Sequence, residues 1–376
     1  MVLLIGNYRP DQQQSMQRFS AIMLQGLNAA GVSAELIAPR PILGDIPWAG
    51  RFISKWVAYI DKYLLFPFQL RRKLAATQPA VVHVCDHSNA VYVEQCHRAP
   101  VVVTCHDLLA VRGAFGEQTD CPASVTGQIL QRWILKGVLR AEAIACDSQA
   151  TAADADRLAA RFGQRLRSSV VLLGLNYDYK QLPREVAQAR LAKIEALDSG
   201  LPWVLHVGSN LRRKNRDGIL RIVSRVKDRW HGQLVFAGER LSPDLLSLAR
   251  QLGVQERIVQ IENPDNELLE ALYARAVALL YPSRFEGFGW PIIEAHACGC
   301  PVICSTSGPL PEVAGDAGLF HAVEDEAGFA ADLLRLTDPI ERAKWSEKSL
   351  RNAERFSSEK MIRQYIDIYR SLGAEV

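Results

Sequence analysis

At 376 residues the chain is longer than one hydrophobic core usually supports, which points to two domains. Hydrophobic residues at 48% and charged residues at 23% are ordinary for a soluble globular protein, and a net charge of +3 with no Lys/Arg run excludes a nucleic-acid-binding tail. Eight cysteines form no disulfide or zinc framework: Cys85, Cys105, Cys146 and Cys304 fall in or beside apolar runs, and the Cys298-Gly299-Cys300 triplet lacks partners at a zinc-site interval. A reduced cytoplasmic protein is the simplest reading.

The opening MVLLIGNYRP reads as a first strand and its loop. It lacks the basic start of a signal peptide and falls far below the ~20 apolar residues of a membrane span. Next, Met16, Phe19, Met23 and Leu27 recur at helical spacing. Further apolar runs follow: ELIA at Glu35, VVHV at Val81, VVVT at Val101, AIAC at Ala143 and VVLLG at Val170. Between the first two, RFISKWVAYIDKYLLFPFQLRRKLAA from Arg51 is basic, aromatic and amphipathic. It has the look of a membrane-surface helix, but Pro67 would break such a helix, so a domain helix packing Val57, Ile60 and Leu64 is the preferred reading. After a polar break near residue 175 a second series begins: WVLHVG at Trp203, QLVFAG at Gln233, IVQI at Ile258, ALLYPS at Ala278 and PVICS at Pro301. The last segment carries Met361, Tyr365, Ile368, Tyr369 and Leu372 on one helical face. Continuous apolar strands separated by helices imply parallel sheets covered on both faces. Two such series imply two doubly wound α/β domains facing each other, with ligands beyond the carboxyl ends of the strands.

Three loops at strand ends carry chemistry. The first, SRFEGFGWPIIE, sets Glu286 and Glu294 on either side of Gly287, Phe288 and Gly289. A helix start after such a loop presents free N–H groups to an anion, and Pro291 suits its first turn. Glu294, one turn in, could accept hydrogen bonds from two vicinal hydroxyls or simply compensate the helix dipole. The second, HVGSNLRRKN, gathers Arg212, Arg213 and Lys214 after Gly208 and Ser209, a cationic turn just before a helix. The third places His106 and Asp107 directly after a strand. Asp154-Ala155-Asp156 spells a metal clamp, but on a helix these side chains point apart. The first strand is not followed by GxGxxG, which counts against an NAD enzyme.

The segment PSRFEGFGWPIIEAHACGCPVICSTSGPLPEVAGDAGL, Pro282 to Leu319, closely resembles the carboxyl-domain signature of retaining nucleotide-sugar glycosyltransferases of the GT-B fold, family 4 or "glycosyl transferases group 1". The resemblance extends over nearly the whole chain and is strongest from Val204 to Leu319. It implies two facing Rossmann-like domains with the active site in the interdomain cleft. Residues 1–175 would form the acceptor-side domain, residues 176–355 the nucleotide-sugar-binding domain, and residues 356–376 a helix crossing back to the first. The spacing of Glu286 and Glu294 matches the family's E-x7-E, which assigns Glu294 to the ribose hydroxyls and Glu286 to the donor sugar. The amides of Gly287, Phe288 and Gly289 would lie near sugar and phosphate, and Gly208 and Ser209 would line the donor site. Lys214 falls on the phosphate-binding lysine, with Arg213 beside it. His106 matches the T-x-H-D histidine that contacts the donor sugar, with Asp107 a structural partner; Asp147 and Ser148 match a strand end that caps a helix.

Two departures are visible. Ser209 stands where some relatives place an arginine, a loss Arg212 or Arg213 would offset, and Gln12 to Ser15 occupy the place of a Gly-Gly pair. The implied activity is transfer of a sugar, with retention, from a UDP- or GDP-sugar to a hydroxyl acceptor, a glycan or lipid-linked saccharide in bacterial polysaccharide assembly. No metal and no cofactor beyond the nucleotide-sugar co-substrate is expected. A nucleotide-sugar 2-epimerase, or an inactive nucleotide-sugar- or glycan-binding homologue, is the alternative. A cytoplasmic protein follows, with peripheral contact at the inner membrane face as a further option.

Overall fold

The computed structural model describes residues 1–11, 13–42, 57–197 and 200–376. Its chain divides into two units, Met1–Asn176 together with Ser357–Val376, and Tyr177–Phe356.

In the first unit six short strands pair in parallel: β1 Val2–Ile5, β2 Ala34–Ile37, β3 Val81–Val84, β4 Val101–Cys105, β5 Ala143–Cys146 and β6 Ser168–Val170. Their order is β2-β1-β3-β4-β5-β6. Every residue of β1, β3, β4 and β5 is buried, as continuous Val/Ile/Leu runs covered on both faces require. The expected strand at Val170 ends there instead. Only Ser168–Val170 pair with β5, and the apolar Val171 and Leu173 are buried beyond the ladder.

The helix Ser358–Ser371 belongs to this unit and packs on the helix Gln14–Ala29. A close approach fixes that contact, since a Cβ at Gly26 would lie 2.5 Å from Ile362. Buried polar groups tie the helix to the sheet. His83 contacts Thr104 Oγ1 at 2.7 Å and Tyr369 Oη at 2.7 Å, and Thr104 contacts Tyr365 Oη at 2.8 Å. Burial carries the pKa of His83 down to about 3, so the ring stays neutral, with one nitrogen donating and the other accepting. Replacing Tyr369 by phenylalanine leaves a His83 nitrogen without its partner, which should cost about 1–3 kcal/mol. A fall in the urea midpoint with unchanged slope is the expected readout, and an unshifted midpoint would contradict it.

The amphipathic stretch that begins at Arg51 is described only from Val57 onward. Pro67 does not break it. A π-helical turn, Asp61–Leu65, runs into the helix Phe66–Thr77, with Pro67 in that helix's first turn, where a missing N–H is tolerated. The buried face is also different from the one expected: Asp61, Phe66, Leu70 and Leu74 point inward, while Ile60 and Leu64 are exposed. Asp61 is held by the hydroxyl of Tyr8 at 2.9 Å. No described helix is long and apolar enough to cross a membrane.

The second unit repeats the plan with β7 Trp203–Gly208, β8 Gln233–Gly238, β9 Ile258–Glu262, β10 Ala278–Tyr281, β11 Val302–Ser305 and β12 Gly318–His321. All pair in parallel, in the order β12-β11-β10-β7-β8-β9. The polar break is not all loop, since Arg184–Leu191 is helical and buries Ala187 and Leu191. In both units the loops after the carboxyl ends of neighbouring strands gather at one edge, which is where the candidate residues lie.

Candidate functional site

In the second unit the site grows from the loops after β7 and β10. Beyond Gly208 the chain makes a tight turn, Arg212–Lys214, and Asn215 adopts a left-handed φ of 55° to start the helix Arg216–Val226. The Asn215 amide donates to the carbonyl of Pro282 at 2.9 Å and accepts from Arg284 at 2.8 Å, and the Arg284 N–H donates to the carbonyl of Arg213 at 2.7 Å. These bonds lace the cationic turn to the loop that carries Glu286. Arg216, buried beneath, donates to the carbonyls of Gly208 at 2.6 Å and Glu239 at 2.7 Å and to the Asn210 side chain at 2.7 Å. A glycine is obligatory beside this turn: Gly238 has φ +121°, and a Cβ there would meet the Gly208 carbonyl oxygen at 2.4 Å.

The turn brings Arg213, Lys214 and Glu286 together. Lys214 Nζ lies 2.7 Å from Glu286 Oε1 and donates to the Tyr281 hydroxyl at 2.9 Å, while Arg213 lies 3.1 Å from Glu286 Oε2. Burial opposes the charge on Glu286, but the two cations outweigh it and hold its carboxyl below the usual range. Burial also draws the Lys214 ammonium below an ordinary lysine, against the pull of Glu286. Tyr281, fully buried and next to the Glu286 charge, is raised far above an ordinary phenol and stays protonated. Two cations and one anion in a half-dry loop form a charge cluster that an incoming diphosphate could rearrange.

Gly289, with φ 111°, precedes the helix Trp290–Ala297, and Pro291 lies in its first turn. Glu294 is buried on this helix, and its Oε2 accepts a hydrogen bond from the hydroxyl of Tyr273 at 2.9 Å. The ring of Phe288 is buried against Phe356, with centroids 6.0 Å apart, which leaves Phe288 its main chain to offer a ligand. Gly208 and Ser209 are half-buried at the end of β7 and the start of the turn.

His106 lies in the first unit, at the carboxyl end of β4. Its Nδ1 is 2.6 Å from Asp147 Oδ2 and its Nε2 is 2.9 Å from the Cys85 carbonyl oxygen. A carbonyl only accepts, so Nε2 carries a proton; an ionised Asp147 draws a second to Nδ1, although its own burial raises the Asp147 pKa against the pull of the His106 charge. Burial works against that charge, yet Asp147 carries the pKa up to about 9. Both ring nitrogens are thus spent inside the protein, which narrows the expected sugar contact to the ring's edge and its positive charge. Asp107 accepts from the Leu109 N–H at 3.0 Å, and Ser148 caps the helix Gln149–Ala160 through the Thr151 N–H at 3.1 Å. Asp154 pairs with Arg112 and Arg157 while Asp156 meets Ser168, so the Asp-Ala-Asp carboxylates diverge.

The raised His106 pKa has a pH signature. Relative to the unfolded histidine, near 6.5, the folded ring binds its proton more tightly, so its contribution to stability is complete below about pH 6.5 and is lost as pH rises through about 9. Denaturant unfolding between pH 6 and pH 9.5 should show this loss, and Asp147→Asn should flatten it. An equally steep profile in the variant would contradict the assignment.

Several residues escaped the sequence reading. Tyr273, Tyr281 and Arg216 are among them. Another is Asp86 after β3, which accepts from Asn7 at 2.5 Å and from the Ser88 hydroxyl at 2.6 Å. The signal for Asp86 was the Asp86-His87 pair at a strand end, as with His106-Asp107. In the loop after β1, Gln13 accepts from Asn7 at 2.6 Å, whereas Gln12 lies outside the described residues.

Residues 16–176 match the family model described as Glycosyltransferase Family 4, and residues 201–338 match the one described as Glycosyl transferases group 1. The chain is 35% identical over 208 residues to the O-antigen chain mannosyltransferase B of Escherichia coli, a match that covers 53% of each, so it spans about half the length of that relative. Its fold is that of sucrose-phosphate synthase from Thermosynechococcus elongatus, with TM-score 0.77, 19% identity, and 100% and 99% of the two chains covered. It is similarly close to Anabaena HepE in complex with UDP and glucose, with TM-score 0.74, 16% identity, and 98% and 99% covered. With the first unit matching one model, the second unit the other, and the fold matching over the whole chain, the chain belongs to the family 4, group 1 glycosyltransferases of GT-B architecture.

Proposed function

We propose that the chain transfers a sugar from a nucleoside diphosphate sugar to a hydroxyl acceptor with retention of anomeric configuration. The observation that carries this reading is the cluster of Lys214, Arg213 and Glu286 at the end of β7 and β10, beside a glycine-led helix start whose Glu294 is buried. In this proposal Glu294 accepts from the ribose hydroxyls. The amides of Gly287 to Gly289 and the helix start receive the phosphates, with Gly208 and Ser209 alongside.

Negative charge grows on the diphosphate as the glycosidic bond breaks, and Lys214 and Arg213 stabilise it where it develops. As they turn toward the diphosphate, Glu286 is freed to accept from hydroxyls of the donor sugar. Two fixed cations supply the charge a metal would otherwise bring, so EDTA should leave the rate unchanged. His106 acts as a fixed positive charge rather than as a free N–H donor. HepE, crystallised with UDP and glucose, and the mannosyltransferase relative support a UDP- or GDP-sugar donor and a saccharide acceptor. A lipid-linked acceptor of bacterial polysaccharide assembly, met by a cytoplasmic enzyme at the inner membrane face, belongs to the same proposal.

The test is a panel of UDP-, GDP- and ADP-sugars, followed by donor hydrolysis, transfer and the anomeric coupling of the product. One donor should turn over with its configuration kept. No donor binding would overturn the transferase reading, an inverted product would overturn retention, and turnover of donor to its 2-epimer would make the chain an isomerase.

A further inference from the structure

The helix Arg184–Leu191, the end of the helix Asn266–Arg275 and the start of the helix Pro339–Ala353 border a cleft of about 560 Å³ in the second unit. It lies at the opposite ends of the strands from the Lys214 loop. Trp203, the first residue of β7, and Pro301, just ahead of β11, line it, whereas Lys214 and Glu286 follow the carboxyl ends of β7 and β10.

Three arginines, Arg184, Arg275 and Arg342, each from a different helix, line this cleft. Other arginines of this unit are paired: Arg190 with Glu270, Arg221 with Glu326, Arg335 with Glu341. Among the described residues, Arg184, Arg275 and Arg342 have no ion pair and no side-chain hydrogen bond. Burial, Arg184 and Arg342 all push the Arg275 guanidinium below its ordinary pKa, and no carboxylate among the described residues offsets them. The indole N–H of Trp203, buried at 7% exposure, also has no acceptor. Three like charges around one cleft, with Arg275 and Arg342 half-buried and Arg184 exposed, cost free energy in the free protein, and an anion would relieve it.

We propose that this cleft binds a small soluble anion bearing a phosphate or diphosphate group, at a site separate from the Lys214 loop. Guanidinium forks match phosphate oxygens bidentately, which an ammonium does not. The cleft falls in the size range of small-molecule sites, about 300–1,000 Å³, and exceeds what a bare phosphate fills. Its buried apolar wall, Leu191 and Ala276, suits the organic part of a phosphorylated molecule.

Inorganic pyrophosphate is the probe, titrated calorimetrically at low salt. Lys214→Ala serves as the background, so that the loop's own anion site is weakened. This protein should still bind pyrophosphate, and adding Arg275→Ala with Arg342→Ala should weaken that binding at least tenfold. Arg184→Glu, a charge reversal at the exposed first residue of its helix, should weaken it comparably without touching a buried side chain. The wild-type affinity for the nucleoside diphosphate should be unaffected by the Arg184 change. Absence of pyrophosphate binding in the Lys214→Ala background, or binding undiminished by Arg184→Glu and by the double substitution, would overturn the proposal. Failure of the transferase reading would appear instead as loss of nucleotide-sugar binding by the wild type, with this cleft's pyrophosphate binding intact.

Discussion

Lys214→Ala should lower kcat by about 10²–10³-fold at saturating donor, the scale seen when one group aimed at a developing charge is removed. The ground-state cost should be smaller. In the free protein Lys214 is already occupied, by Glu286 at 2.7 Å and Tyr281 at 2.9 Å, so donor binding exchanges one anion for another. The exchange becomes more favourable as the diphosphate gains charge, which places the larger effect on kcat and the smaller on KM. Lys214→Arg should not restore the rate. A planar fork cannot reproduce a point charge that sits between a carboxylate and a buried phenol. Removing the lysine also leaves Glu286 with Arg213, at 3.1 Å, as the one cation of the pair. The Glu286 pKa must then rise, so the variant's residual activity should fall off at a higher pH than the wild type's on the acid side. Initial rates across donor concentration and pH measure all of this. A variant within threefold of the wild-type kcat would remove Lys214 from the proposed chemistry.

The parts of this site that sequence exposes are those set by chain-local rules. Glycines mark tight turns, charged residues after an apolar run mark strand ends, and the Glu286–Glu294 spacing survives because both lie on one continuous loop and helix. Strands were legible for the same reason, since a fully buried parallel strand is an unbroken apolar run. β12, Gly318–His321, was not, because it opens with glycine and ends half-buried, so it carries no such run. The π-turn at Asp61–Leu65 was equally hidden: a proline signals a break, and only packing decides that an extra residue in the turn before it absorbs the strain. Tyr273 and Tyr281 look like core aromatics in sequence, and as far as their rings go they are. That their hydroxyls meet Glu294 and Lys214 depends on how a helix and a strand from distant parts of the chain pack. The strand-end position of His106 is legible in sequence, but its two internal partners, Asp147 and the Cys85 carbonyl, come from just beyond the strands on either side, which no local pattern shows.

Tyr273→Phe should weaken donor binding by about 10-fold or more, the loss expected for one hydrogen bond to a charged group. The substitution removes one oxygen from a fully buried ring and leaves the packing volume intact, so the fold should hold. What it removes is a bond that helps to hold the Glu294 carboxylate, at 2.9 Å, and in the proposed role that carboxylate works only if it is aimed at the vicinal hydroxyls. In the proposed function Glu294→Ala removes the ribose grip itself and should cost about 10²-fold or more in KM, with little change in kcat, because the ribose would be remote from the breaking bond. The two changes should not add. With Glu294 gone, the Tyr273 hydroxyl has nothing to orient, so Tyr273→Phe in that background should be nearly silent for donor binding. A 2′-deoxy donor separates positioning from general destabilisation. Wild type should discriminate against it, and both variants should lose that discrimination while binding the two donors with similar weakness. If Tyr273→Phe weakens ribose and deoxyribose donors equally and keeps the ratio between them, Tyr273 is a packing residue and Glu294 is aimed by something else.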